Sequence, residues 1–214
     1  YTHLVDSLLS LNINISKIFT PEHGYKGENY NGENVTDKVD QNTGLEIISL
    51  HGKDREYGKI SDNDLIDIDL MIFDIQDVGT RFYTHISTLH YVMEACARNN
   101  IPLLVFDRPN PNGNYIDGPV LENENKSFVG MHPVPIVYGM TIGEYAQMIN
   151  GESWLNTKVK CNLKVIKILN YKHDYNYSLL IKPSPNLPND RSISLYPSLC
   201  LFEGANVSVG RGTT

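Results

Sequence analysis

Cysteine is scarce in this chain, and its three copies (Cys96, Cys161, Cys200) share no close spacing. That pattern argues against a zinc site and against a disulfide scaffold. Positive charge is short too: 18 Lys and Arg face 25 Asp and Glu, for a net charge of −7. The densest cationic group, Lys158, Lys160, Lys164 and Lys167, is interleaved with apolar residues, as on the solvent face of a strand. With no basic block to release phosphate counterions, a nucleic-acid partner is not expected. No apolar run approaches the roughly 20 residues of a membrane-spanning helix. No signal peptide opens the sequence. The start in an amphipathic pattern (Leu4, Val5, Leu8, Leu9) and the stop at Gly210–Thr214 read as cuts at both ends. Glycine is present, but not where a nucleotide needs it. No Gly-rich turn follows the first strand-like run, and Gly204, Gly210 and Gly212 form no phosphate loop. No cofactor is expected. Internal repeats and low-complexity tracts are absent as well.

What is present is the alternation of a globular α/β protein. A helix is expected over 2–12, strands over 15–19, 46–50 and 70–75, a helix over 84–99 and a strand over 102–106. Helix 84–99 carries Ile86, Leu89, Val92, Met93 and Cys96 at three- and four-residue intervals, the stripe of an amphipathic helix. Short β-branched strands separated by helices imply a mostly parallel sheet of doubly wound type. In the second half, Thr141 and Glu144 form a capping box for a helix over 141–150. Residues 159–169 alternate like a strand, and the Pro-rich run Lys182–Asn189 reads as rigid and extended. Ser192–Phe202 reads as a helix in which Pro197 fits only near a first turn or at a kink. The polar stretch Gly24–Gly44, with few apolar anchors, reads as a mobile cover contributing residues such as Glu28 or Asn34.

Chemistry-bearing residues gather where the strands end, the usual place for a site in an open α/β sheet. Segment Ile72–Tyr83 delivers Asp74, Gln76, Asp77, Gly79 and Arg81 directly after an apolar run, and Lys17–Thr20 ends in Pro21-Glu-His-Gly24. There a carboxylate and an imidazole sit on a rigid turn, which suits general acid–base work. The plain alternative is a solvated Glu22 and a His23 that caps a carbonyl. For Asp74 the plain reading is preferred, an Asp–Arg pair locking a turn. The residue two positions on is Gln76, not the second acid of an aspartyl-phosphate site. Asp107-Arg-Pro-Asn-Pro111 closes the next strand with two prolines that freeze its polar groups. Internal pairing of Asp107 with Arg108 is the alternative there. His51, after strand 46–50, completes a row of His23, His51, Asp77 and Asp107 at the strand ends. Two His and two acids can hold a metal, but coming from four loops without tight spacing they do not predict one.

With these residues in hand, the chain resembles the exo-β-N-acetylmuramidase family (NamZ-like proteins, formerly a domain of unknown function). The similar stretches begin with Phe19-Thr-Pro-Glu-His-Gly24, Phe73-Asp-Ile-Gln-Asp-Val-Gly-Thr-Arg-Phe-Tyr83 and Asp107-Arg-Pro-Asn-Pro-Asn-Gly113. They continue through Asp117-Gly-Pro119, Gly130-Met-His-Pro133, Tyr138-Gly-Met-Thr141, Pro183-Ser-Pro-Asn-Leu-Pro188 and Glu203-Gly-Ala-Asn-Val-Ser-Val-Gly-Arg-Gly-Thr213. The resemblance implies a Rossmann-like catalytic domain over 1–150, with 151–214 continuing it and starting a smaller α+β lobe. It implies a glycosidase that removes terminal, non-reducing N-acetylmuramic acid from β-1,4-linked peptidoglycan fragments, in the periplasm or after secretion. Glu22 is implied as the catalytic acid, and His23 and Asp77 are further catalytic candidates. Asp77 is the one that would stabilise the transition state or activate water. Substrate contacts are expected from Arg81, Tyr83, His51, Asp107, Arg108, Asn110, His132 and Arg211. Arg81 is the expected partner of the lactyl carboxylate, because Gly79-Thr80 would let it swing; a pair with Asp77 is the alternative. Two other functions stay open: metal-assisted hydrolysis through His23, His51 and Asp77, and a non-catalytic module that binds cell-wall glycan.

Overall fold

Apolar runs occupy the middle of both sheets. The computed structural model describes residues 2–25, 38–51 and 58–205, and the chain divides into two units, 1–59 and 60–214. In the first unit, helix α1 (Leu4–Ser10) is capped by His3, whose Nδ1 accepts the Val5 amide at 3.3 Å. Strand β1 (Lys17–Thr20) pairs in parallel with β3 (Glu46–Ser49), and β2 (Lys38–Val39) adds antiparallel to the other side of β3. Ile47 and Ile48, on opposite faces of this middle strand, are 1% and 2% exposed. Burial on both faces is what an unbroken apolar run in a parallel strand dictates. The register sets Thr20 opposite Ser49, and the Leu50 amide donates to Thr20 O at 2.8 Å. The carboxyl ends of β1 and β3 therefore stop level.

In the second unit, β4 (Met71–Phe73), β5 (Leu103–Phe106) and β6 (Leu163–Ile166) form a wholly parallel sheet with β5 in the middle. Helix α2 (His85–Asn99) connects β4 to β5, and α3 (Ile142–Gly151) precedes β6, the crossovers that parallel strands require. The α/β class with helices flanking a parallel sheet is the observed one, its strands shared between two sheets of three. Helix α2 buries Ile86, Leu89 and Met93 completely, each worth about 1.5–3 kcal/mol. It ends at Asn100 in the left-handed region, φ 54°, where Asn is tolerated. Helix α3 starts at the expected capping box: Thr141 Oγ1 accepts the Glu144 amide at 3.3 Å, and Glu144 Oε2 accepts the Thr141 amide at 2.9 Å.

Several expected boundaries shift: the helix expected over 2–12 shortens to α1, the strand expected over 15–19 moves to β1 and that over 70–75 shortens to β4. The strand-like stretch 159–169 contracts to β6, and the last helix, expected over 192–202, is α4 (Asp190–Leu199) followed by a 3₁₀ turn at Cys200–Gly204. It starts earlier because Asn189 caps it, accepting the Ser192 amide at 2.9 Å. Pro197 lies inside this helix rather than in its first turn. Having no N–H, it leaves the Ile193 carbonyl without a helical donor. Asn112 supplies the donor: its Nδ2 reaches Ile193 O at 3.3 Å and Val78 O at 2.9 Å. Ile193 itself packs with Val78, Tyr83 and Leu187 in a small core cluster.

Candidate active site

In the first unit the level ends of β1 and β3 carry Glu22, His23 and His51. Gly24 closes the turn after β1, donating its amide to Pro21 O at 3.0 Å with φ +72°, a conformation glycine adopts without steric cost. Glu22 is half-buried and makes no hydrogen bond or ion pair among the described residues. His23 is buried. His51 is half-buried, and Ser49 Oγ fixes its backbone by accepting its amide at 3.1 Å and donating to its carbonyl at 2.7 Å. A carboxyl group that no structural bond consumes, on a turn held by Pro and Gly, is placed for proton transfer. The stretch 26–37, with Glu28 and Asn34, lies outside the described residues, as does Arg211.

In the second unit the loops after β4 and β5 are sewn together. Gln76 Nε2 donates to Asp77 O and to Pro109 O, both at 2.7 Å. Arg108 Nε donates to Asp74 Oδ1 at 2.7 Å, so Asp74 does pair with an arginine, but with one from the next loop rather than with Arg81 of its own turn. The alternative pairing of Arg108 with Asp107 is not made through its side chain. Asp107 instead accepts the Arg108 amide at 3.0 Å, Thr141 Oγ1 at 2.9 Å and the Gly143 amide at 2.8 Å, which fastens β5 to the start of α3. Burial raises its pKa, against the pull of those three bonds. Asn110 accepts the Asn112 amide at 2.8 Å and donates to Met140 O at 2.8 Å. Gly79, at φ +74°, lies so close that a Cβ there would collide with the Asn110 side chain.

Asp77, Arg81, Tyr83 and His132 are placed in the interior. Asp77 is 3% exposed and accepts the Tyr138 hydroxyl and, at 2.7 Å, the Gly79 amide. Burial outweighs these bonds and pushes its pKa up from 3.8 to about 6. Arg81 is 6% exposed, and its Nη1 donates to Pro119 O at 2.9 Å and Val134 O at 2.5 Å rather than to Asp77. Desolvation lowers its pKa. Tyr83 spends its hydroxyl on Pro183 O at 3.0 Å. His132 stacks on Trp154 with centroids 4.8 Å apart, and burial, reinforced by His90, drops its pKa to about 3.

His132 belongs to a buried chain of four polar side chains. A donor order that satisfies each member runs from the Tyr145 hydroxyl to His132 Nδ1 (3.1 Å), from His132 Nε2 to His90 Nδ1 (2.9 Å) and from His90 Nε2 to Glu94 Oε1 (3.1 Å). Glu94 also accepts the backbone and side-chain amides of Asn156, both at 2.7 Å. Burial pushes its carboxyl up, yet His90 and Asn156 together hold it at about 2. The sequence offered one signal for this chain, His90 and Glu94 four apart on α2, and none for its closure through His132.

Family models settle the kinship. The N-terminal model of exo-beta-N-acetylmuramidase NamZ matches residues 1–191, and the C-terminal model matches 194–214. The chain belongs to the NamZ family. The peptidoglycan beta-N-acetylmuramidase NamZ of Bacillus subtilis (strain 168) is 45% identical over 207 residues, 94% of this chain and 48% of the relative. Two solved DUF1343 family proteins from Bacteroides fragilis NCTC 9343 share the fold. One superposes with TM-score 0.88 at 49% identity over 100% of this chain and 56% of its own, the other with 0.84 at 38% over 94% and 51%. The chain thus spans about half the length of the relatives it matches. Among the described residues, the Pro-Glu-His-Gly turn stands at a strand end with its carboxylate unclaimed, whereas Asp107, Asn110 and Tyr83 are bound into the framework.

Proposed function

We propose that the chain is the N-terminal part of an exo-acting glycosidase that releases terminal, non-reducing N-acetylmuramic acid from β-1,4-linked peptidoglycan fragments. Membership of the NamZ family supports the substrate class. Glu22 carries the chemistry: it is the carboxyl group at the end of a parallel strand that no described bond consumes. In this reading it protonates the glycosidic oxygen as the sugar departs through an oxocarbenium-like state. Asp77 is not given the second role, because its carboxylate is buried and committed to Tyr138 and Gly79. Such a substrate belongs to the cell wall, so the protein acts in the periplasm or after secretion.

The test is release of free N-acetylmuramic acid from the muramyl–glucosaminyl disaccharide by the protein at its relatives' length. Glu22→Gln should lower turnover by about 10²- to 10⁴-fold with the fold intact. A folded variant with wild-type turnover removes Glu22 from the mechanism. Loss of wild-type activity to a chelator would point to metal-assisted hydrolysis, and binding without any turnover to a glycan-binding module.

A further inference from the structure

N-acetylmuramic acid differs from N-acetylglucosamine by one anionic substituent, the lactyl carboxylate. A protein that prefers the first sugar needs a fixed cation to meet that group, and a guanidinium matches a planar carboxylate better than an ammonium does. The second unit holds four described arginines, each in a different setting. Arg81 is 6% exposed and ties two loop carbonyls together, so it is part of the interior. Arg98, near the end of α2, pairs with Asp62 at 3.1 Å, at the amino end of the sheet, where β5 begins. Arg191 is exposed in the first turn of α4 and is oriented by no bond among the described residues.

Arg108 differs from all three. It follows the middle strand β5 at its carboxyl end, where ligands of open α/β sheets bind. Its backbone is fixed on both sides: its amide donates to Asp107 Oδ1 at 3.0 Å, and the carbonyl of Pro109 takes Gln76 Nε2 at 2.7 Å. Its side chain is aimed by a single bond, Nε to Asp74 Oδ1 at 2.7 Å. The side chain stays 40% exposed while that of Asp74 is 14% exposed. Both terminal nitrogens are without a partner among the described residues. A guanidinium held through Nε keeps its Nη1–Nη2 edge for a second, bidentate carboxylate.

We propose that Arg108, positioned by Asp74, selects the carboxylate-bearing sugar in this protein; the proposal rests on the muramidase reading above. The pairing with Asp74 lowers the entropy lost on binding, because the side chain is already ordered before the sugar arrives. Asp74 is a positioning residue and Arg108 the one that touches the ligand.

Equilibrium titration with free N-acetylmuramic acid and with N-acetylglucosamine tests this without relying on turnover. Wild type should bind the acidic sugar more tightly. Arg108→Met should reduce that preference by about 10- to 100-fold, the scale of a charged hydrogen bond, while affinity for N-acetylglucosamine is unchanged. Arg108→Lys should keep part of the preference, and Asp74→Asn should weaken it without abolishing it. Arg81→Met should lower the melting temperature and leave the ratio of affinities as in wild type. If Arg108→Met folds, by its thermal transition, and keeps the wild-type ratio, the assignment is overturned while the muramidase reading stands. If that variant does not fold, Arg108→Lys decides, since an unchanged ratio there refutes recognition by the planar fork. A wild type that binds both sugars equally overturns the substrate class and the selector together.

Discussion

Asp77 makes stability depend on pH in an unusual direction. Its carboxyl is shielded from water and pushed from 3.8 to about 6. A pKa raised on folding means that the native state binds the proton more tightly than the unfolded chain. The stabilisation is complete below about pH 4 and disappears as pH rises through about 6. The gap between those values corresponds to about 3 kcal/mol. His132 works against it over an overlapping range, since its pKa is held down near 3. Its contribution is complete above 6.5 and fades as pH falls. The raw stability curve therefore mixes the two, and a difference measurement isolates Asp77. Asp77→Asn keeps an oxygen to accept from Tyr138 and Gly79 but cannot ionise. Denaturant midpoints of both proteins should be followed from pH 3.5 to 7.5. Wild type minus variant should fall by about 3 kcal/mol across the window, with equal slopes in denaturant. A difference that stays flat within 0.5 kcal/mol, roughly the error expected of such extrapolations, would refute the argument.

Asn112→Ala should destabilise the protein by about 2–4 kcal/mol, because Val78 O and Ile193 O each lose a buried donor; denaturant midpoints read this directly. Asn112→Asp, which fills the same space without the amide protons, should be at least as damaging. Glu94→Gln acts with the opposite pH sign to Asp77. A carboxyl held at about 2 stabilises the fold above its ordinary 4.5 and loses that contribution as pH falls. The cost of the substitution should thus be about 3 kcal/mol at pH 7 and shrink toward zero near pH 2, which equilibrium unfolding at both ends of the range would show.

Legibility in the sequence followed the range of the interaction. Strands β1, β3, β4 and β5 were visible because an apolar run between turn residues has a local cause. The start of α3 was equally visible, since Thr141 and Glu144 satisfy each other's backbone within one turn. The sequence places the start of α4 two residues late because the residue that answers the Asn189 cap is Ser192, not the longer Glu or Gln of the usual box. What the sequence could not convey was which distant atom would claim each polar group. Arg108 has an acid beside it at Asp107, yet its guanidinium goes to Asp74, 34 positions away. His132 lies in a family motif and reads as a sugar contact, but Trp154 and Tyr145 enclose it. Arg81 follows a glycine that promised freedom, and two carbonyls from later loops take that freedom away. Strand ends announce where chemistry can occur; the tertiary fold decides which groups are spent on the framework and which are left over.

Helix α4 has a practical consequence for anyone dissecting these proteins into pieces. The two family segments meet between residues 191 and 194, inside a helix that runs from Asp190 to Leu199. A clone stopped at the seam would delete Ile193, 2% exposed, and with it the wall of an apolar cluster and the carbonyl that Asn112 reaches. Family boundaries mark where two sequence patterns join, whereas cooperative unfolding follows packing. Here the seam runs through a packed element, so a cut site for a stand-alone fragment has to lie beyond the helix.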